Sequence, residues 1–101
     1  MSEHSALHLI CSSNQDSRAL DQCLQFFQPG DALLFMQSGV ASMPWVQQAS
    51  FESAGLSIHW LEADVLARGL APLAELKSWQ IVDDPGFVEL VEQHNPIHTW
   101  T

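Results

Sequence analysis

The run Ala32-Leu-Leu-Phe-Met36, placed directly after Pro29-Gly30-Asp31, constrains the fold more than any other stretch of the chain. All five of its residues are apolar, so a strand built from it has no face that suits water and must be covered on both sides. Covering a strand twice takes helices above and below, and the flanking sequence alternates short apolar runs with helical periodicity. Ala6-Leu-His-Leu-Ile-Cys11 reads as a first strand, closed by the polar cluster Ser12 to Ser17. From about Gln15 to Gln28, Leu20, Cys23, Leu24 and Phe27 recur at i, i+3, i+4 and i+7, an amphipathic helix that Pro29-Gly30 stops.

Beyond the central run, Ser38-Gly39 breaks the chain, and Pro44 suits the first turn of a helix running through Val46 and Glu52 to Gly55. Leu56 to Leu61 reads as a third strand, and Asp64 caps a short helix over Val65 to Arg68, ended by Gly69. Trp79 to Val82 is a fourth strand, and Asp83-Asp-Pro-Gly-Phe87 opens a helix of about two turns with Phe87, Leu90 and Val91 on its apolar side. Ile97 to Trp100 fits a final edge strand. Strands alternating with helices predict an α/β fold: a three-layer sandwich on a mostly parallel sheet of four to five strands. A chain of 101 residues fits one domain, residues 1–101.

Charge narrows the function. Lys and Arg number 3 against 12 Asp and Glu, a formal net charge of −9. Binding a phosphate backbone requires clustered cations, and Arg18, Arg68 and Lys77 form no patch, so nucleic acid is not expected as a direct partner. An anionic membrane surface is disfavoured for the same reason. Met1 to Leu9 carries Glu3, no Lys or Arg, and too little apolar length for a signal or a spanning segment, which predicts a cytoplasmic protein. There Cys11 and Cys23 are expected to stay reduced. The 47% hydrophobic content is high for this length. Part of the cover for the Leu33 to Met36 region is therefore open to another subunit, and an isolated chain is expected to self-associate.

Four blocks, in order along nearly the whole chain, give it a likeness to a known family. They are Leu7-His8, Pro29-Gly30-Asp31-Ala-Leu-Leu with Gly39-Val40, Asp64-Val-Leu-Ala-Arg-Gly69, and Asp83 through Phe87-Val88-Glu-Leu90 to Trp100. The chain resembles the TusB/DsrH proteins of the DsrE/F/H superfamily. The resemblance implies a subunit of a heterohexamer with paralogous TusC/DsrF-like and TusD/DsrE-like partners, through which persulfide sulfur passes between cysteines. The destination it implies is 2-thiolation of the tRNA wobble uridine or, alternatively, sulfur oxidation. It also implies that the principal relay cysteine lies on the TusD/DsrE-like partner, leaving this chain an accessory subunit and not an enzyme on its own. Leu20-Asp-Gln-Cys23-Leu24 matches the cysteine-bearing form of the family, which makes Cys23 the candidate persulfide carrier.

The residues themselves leave Cys23 open. A sulfur carrier must be reachable and partly thiolate. Cys23 shares a stripe with Leu20, Leu24 and Phe27, where a thiol serves equally as a small buried hydrophobe. Cys11 ends the first strand, the side where open α/β sheets bind ligands. This position supports a rival reading, a flavodoxin-like module holding a small ligand near Cys11 and Ser38-Gly39. The hydroxyl loop Ser12-Ser13-Asn14-Gln15 lacks the glycine a phosphate cradle needs, so no cofactor is expected. His4, His8, His59, His94 and His98 form no i, i+4 helical pair and meet no cysteine at zinc spacing, so no metal is expected. Trp45, Trp60, Trp79 and Trp100 are read as core and interface anchors.

Overall fold

The computed structural model describes residues 5–13 and 18–101. Five strands, β1 (Leu7–Ile10), β2 (Ala32–Phe35), β3 (Ser57–Leu61), β4 (Ile81–Val82) and β5 (Ile97–Trp100), form one all-parallel sheet in the order β4-β3-β2-β1-β5. The helices are α1 (Ala19–Cys23), α2 (Gln48–Ser53), α3 (Glu62–Ala67), α4 (Ala71–Leu76) and α5 (Asp84–Gln93). This is the expected α/β architecture, and among the described residues no helix is long and apolar enough to cross a membrane.

Strand order explains how the helices divide between the faces. The crossovers from β1 to β2, β3 and β4 all step in one direction, so right-handed connections put their helices on one face. The return from β4 to β5 puts α5 on the other. The first face packs Ile10, Leu33, Phe35, Ile58 and Trp60 against Leu20, Cys23, Val65 and Ala74. The α5 face packs Leu7, Leu34 and Leu61 against Leu90 and Phe87. The central run is thus covered within the chain, and Ala32 to Phe35 are fully buried. The expectation that Leu33 to Met36 presents surface to a partner does not hold. The exposed large apolar side chains lie elsewhere, on Phe26, Trp45, Leu66, Leu76, Ile81, Val88, Val91 and Ile97.

Four elements differ from the sequence expectation. The first helix spans only Ala19–Cys23, because the approach to Pro29 forces a tighter exit in which the Phe26 and Phe27 N–H groups both donate to the Cys23 carbonyl. Its expected start at Gln15 lies outside the described residues. The helix expected from Pro44 divides into a 3₁₀ segment, Gln37–Ser42, and α2. Lys77 Nζ donates to the Met43 and Pro44 carbonyls at 3.2 and 3.3 Å, engaging oxygens that a continuous helix would use, and Pro44 sits in the turn between. Asp64 falls inside α3 rather than capping it, and α4 was not expected from the sequence at all. The helix expected behind Asp83-Asp-Pro-Gly-Phe87 is α5, capped by Asp83, which accepts from Gly86 N–H at 2.9 Å, and it reaches 10 residues where about two turns were expected.

Candidate functional site

Cys23 closes α1 on the face that packs against β1 and β5, and it is 0% exposed in the main core cluster. Burial, with the carboxylate of Asp31 as the second cause, pushes its thiol up to about 12. At pH 7 the thiolate fraction is then on the order of one in 10⁵, so the side chain is a poor nucleophile in this conformation. Cys11 follows β1 and is 8% exposed, and burial, then the charge of Asp64, raises its thiol as well. Both cysteines are free.

The carboxyl end of the sheet, where a ligand was expected near Cys11 and Ser38-Gly39, is closed by backbone. A Cβ at Gly39 would stand 2.0 Å from the Ile10 carbonyl oxygen, so only glycine permits this approach. Gln37 adopts a left-handed conformation with φ 52, and its N–H donates to Asp64 Oδ2 at 2.6 Å. Arg68 Nη2 donates to Ser38 Oγ at 3.3 Å. Of the hydroxyl loop, Ser13 is buried, while Asn14 and Gln15 lie outside the described residues, as does His4.

The opening lies at the other end. A cavity of about 740 Å³ is bordered by the residues preceding β1, β2 and β5, with Phe26, His98 and Trp100 on its wall. Its floor is a buried polar chain that ties three strands together. The Trp100 indole N–H donates to His8 Nδ1 at 3.1 Å. That nitrogen is therefore the acceptor, so Nε2 carries the ring proton and donates it to Asp31 Oδ2 at 2.9 Å. Asp31 also accepts from the N–H groups of Ala6 and Gln28, each at 2.9 Å. Burial alone would raise this carboxyl, but the hydrogen bonds from His8, Gln28 and Ala6 outweigh it and hold it below the usual carboxylate range. His98 stacks on His8 with ring centroids 5.3 Å apart, and Phe26 stacks on Trp100 at 5.6 Å.

The residues meeting here, His8, Asp31 and Trp100, come from three of the sequence blocks noted above. The family model for DsrH-like proteins matches residues 12–97. The chain belongs to the DsrH-like family. No curated protein was found to match it.

A DsrH-like chain is a sulfur-relay subunit of the DsrEFH/TusBCD type, and it works in a complex with related subunits. The blocks on which the resemblance was drawn serve structure in this DsrH-like chain. Asp31 anchors the amino end of the sheet, Gly39 permits its carboxyl end to close, and Phe87 and Leu90 hold α5 on the sheet. The three-residue network was missed by sequence reasoning. Its one local signal is His8, a polar residue in an otherwise apolar strand. Among the described residues no group of three or more His, Cys, Asp or Glu side chains is placed to hold a metal ion.

Proposed function

We propose that this chain is an accessory, non-catalytic subunit of a cytoplasmic heterohexamer with TusC/DsrF-like and TusD/DsrE-like paralogues. That assembly passes persulfide sulfur toward 2-thiolation of the tRNA wobble uridine. The observation that carries the reading is the DsrH-like family match over residues 12–97. In the relay step a carrier thiolate attacks the outer sulfur of a donor persulfide, takes that sulfur, and releases the donor as a thiolate. Cys23 is the residue of this chain that would carry sulfur. Its complete burial and raised pKa support a division of labour in which the partner's cysteine does the carrying and Cys23 packs the core.

The test is intact-mass spectrometry of the co-purified complex after exposure to a persulfide donor, with wild type and Cys23→Ser compared. Adducts on the TusD/DsrE-like partner, unchanged by the substitution, are the expected result. An adduct on this chain that maps to Cys23 would instead make it a carrier. The tRNA branch is checked by deleting the gene and measuring 2-thiouridine. An unchanged 2-thiouridine level would rule out that branch and leave sulfur oxidation.

A further inference from the structure

The two edges of the sheet are built differently. The β4 edge is only two residues long and is followed at once by Asp83 and Asp84, the usual way of blunting an edge against unwanted pairing. The β5 edge is four residues long, and among the described residues it carries no such protection. No Asp, Glu, Lys or Arg occurs from residue 93 to 101, nor from 22 to 30, the second segment beside it. In a chain with a net charge of −9, that leaves an uncharged strip along one side of the molecule. The strip is rich in aromatic side chains. Phe26, 66% exposed, lies against Trp100, and the cavity of about 740 Å³ opens next to the strand.

The backbone of β5 is oriented for pairing. The Pro96 and Trp100 carbonyls accept from Leu7 and Cys11 N–H, so alternation along the strand turns the N–H and C=O of Ile97 and Thr99 to the open edge. Depletion of charge with exposed aromatic residues is the composition of an interface core, and an unprotected edge is a template for a further strand.

We infer that the outer edge of β5, together with the Phe26 and Trp100 wall, is the docking surface for a related subunit of the complex. An extended segment of that subunit pairs with Ile97 and Thr99, and its apolar side chains enter the cavity. The strong negative charge opposes self-pairing of two copies and favours a less acidic related chain. This inference rests on the family reading that the chain works in a complex with related subunits.

The experiment is hydrogen exchange on the chain alone and on the chain co-expressed with DsrE-like and DsrF-like subunits. The β1-facing amides of His98 and Trp100 should be protected in both states, while those of Ile97 and Thr99 should slow more than tenfold only in the complex. Thr99→Pro removes an outward donor and leaves the β1 ladder in place, and Phe26→Asp charges the wall. Both should weaken assembly more than tenfold, while Leu76→Ser, at a position 82% exposed on α4, should not. A complex that forms with unchanged exchange at Ile97 and Thr99 would overturn the docking surface and leave the family reading standing. Failure of the wild-type chain to assemble at all would overturn both. A homodimer of the lone chain that Phe26→Asp dissolves would replace the related subunit with a second copy.

Discussion

The two ends of the parallel sheet have exchanged their usual roles. Open α/β sheets generally bind ligands beyond the carboxyl ends of their strands. Among the described residues that end is packed shut, with Gly39 pressed against Ile10 and the Asp64 carboxylate taken up by Gln37 N–H. The amino end, which is ordinarily structural, holds the cavity of about 740 Å³ and Asp31, whose carboxylate accepts three hydrogen bonds. A subunit that contributes shape and contacts can close the catalytic end of an inherited fold and put its polar network to work as a brace.

Several measurements would break or sharpen this contrast. The largest effect is expected from Asp31→Ala at the amino end. It strands three buried or partly buried donors and should cost about 4 kcal/mol, read from the urea midpoint. A loss under about 1 kcal/mol would mean the carboxylate is not the brace. Gly39→Ala at the carboxyl end forces a methyl group onto a carbonyl oxygen and should cost about 2 to 3 kcal/mol, which lowers the melting temperature by roughly 10 °C. If the variant melts like wild type, the carboxyl end is not as tightly closed as described. Trp100→Phe keeps an aromatic, though smaller, side chain and deletes the donor to His8 Nδ1, for about 1 kcal/mol.

The amino end should also set the pH dependence. The pKa of Asp31 is lowered in the fold, so its stabilisation is full above the unfolded carboxyl range near pH 4 and is lost as the pH falls through the folded value. The pKa of Cys23 is raised to about 12, so its contribution is full below the unfolded thiol value near 8.5 and is lost as the pH climbs toward 12. Unfolding free energies measured from pH 2 to 11 should fall at both limits, and Cys23→Ala should flatten the alkaline limb alone. The smallest expected difference is kinetic. Iodoacetamide should label Cys11, 8% exposed, before Cys23, 0% exposed, with both slower than in urea. Faster native labelling of Cys23 would show that α1 opens.

Features decided locally were legible in the sequence. The apolar run of β2 and the opening of α5 behind Asp83-Asp-Pro-Gly86 each depend on neighbouring residues only, and both stand where expected. Pro44 misled because its helix-starting chemistry equally suits a turn, and the hydrogen bonds from Lys77 that decide between them come from 34 and 33 residues away. Strand order was unreadable for the same reason. The candidate thiol was found through its motif, but its burial depends on β1 and β5 packing against α1. Asp31 closes a turn with Gln28 from neighbouring residues alone, while its bonds to Ala6 and His8 required the sheet to exist first.

The pairing of β5 with β1 has a consequence for synthesis. The hydrogen bond from Trp100 to His8 joins residues 92 positions apart, and the strand that supplies it is the last of the five to leave the ribosome. Until then the polar side chain in β1 lacks its donor, and one long edge of a nearly finished sheet stands open. The nascent chain therefore passes through a stage in which its first strand has no outer neighbour. Chaperones, or a subunit already folded nearby, would have their strongest claim on it in that interval.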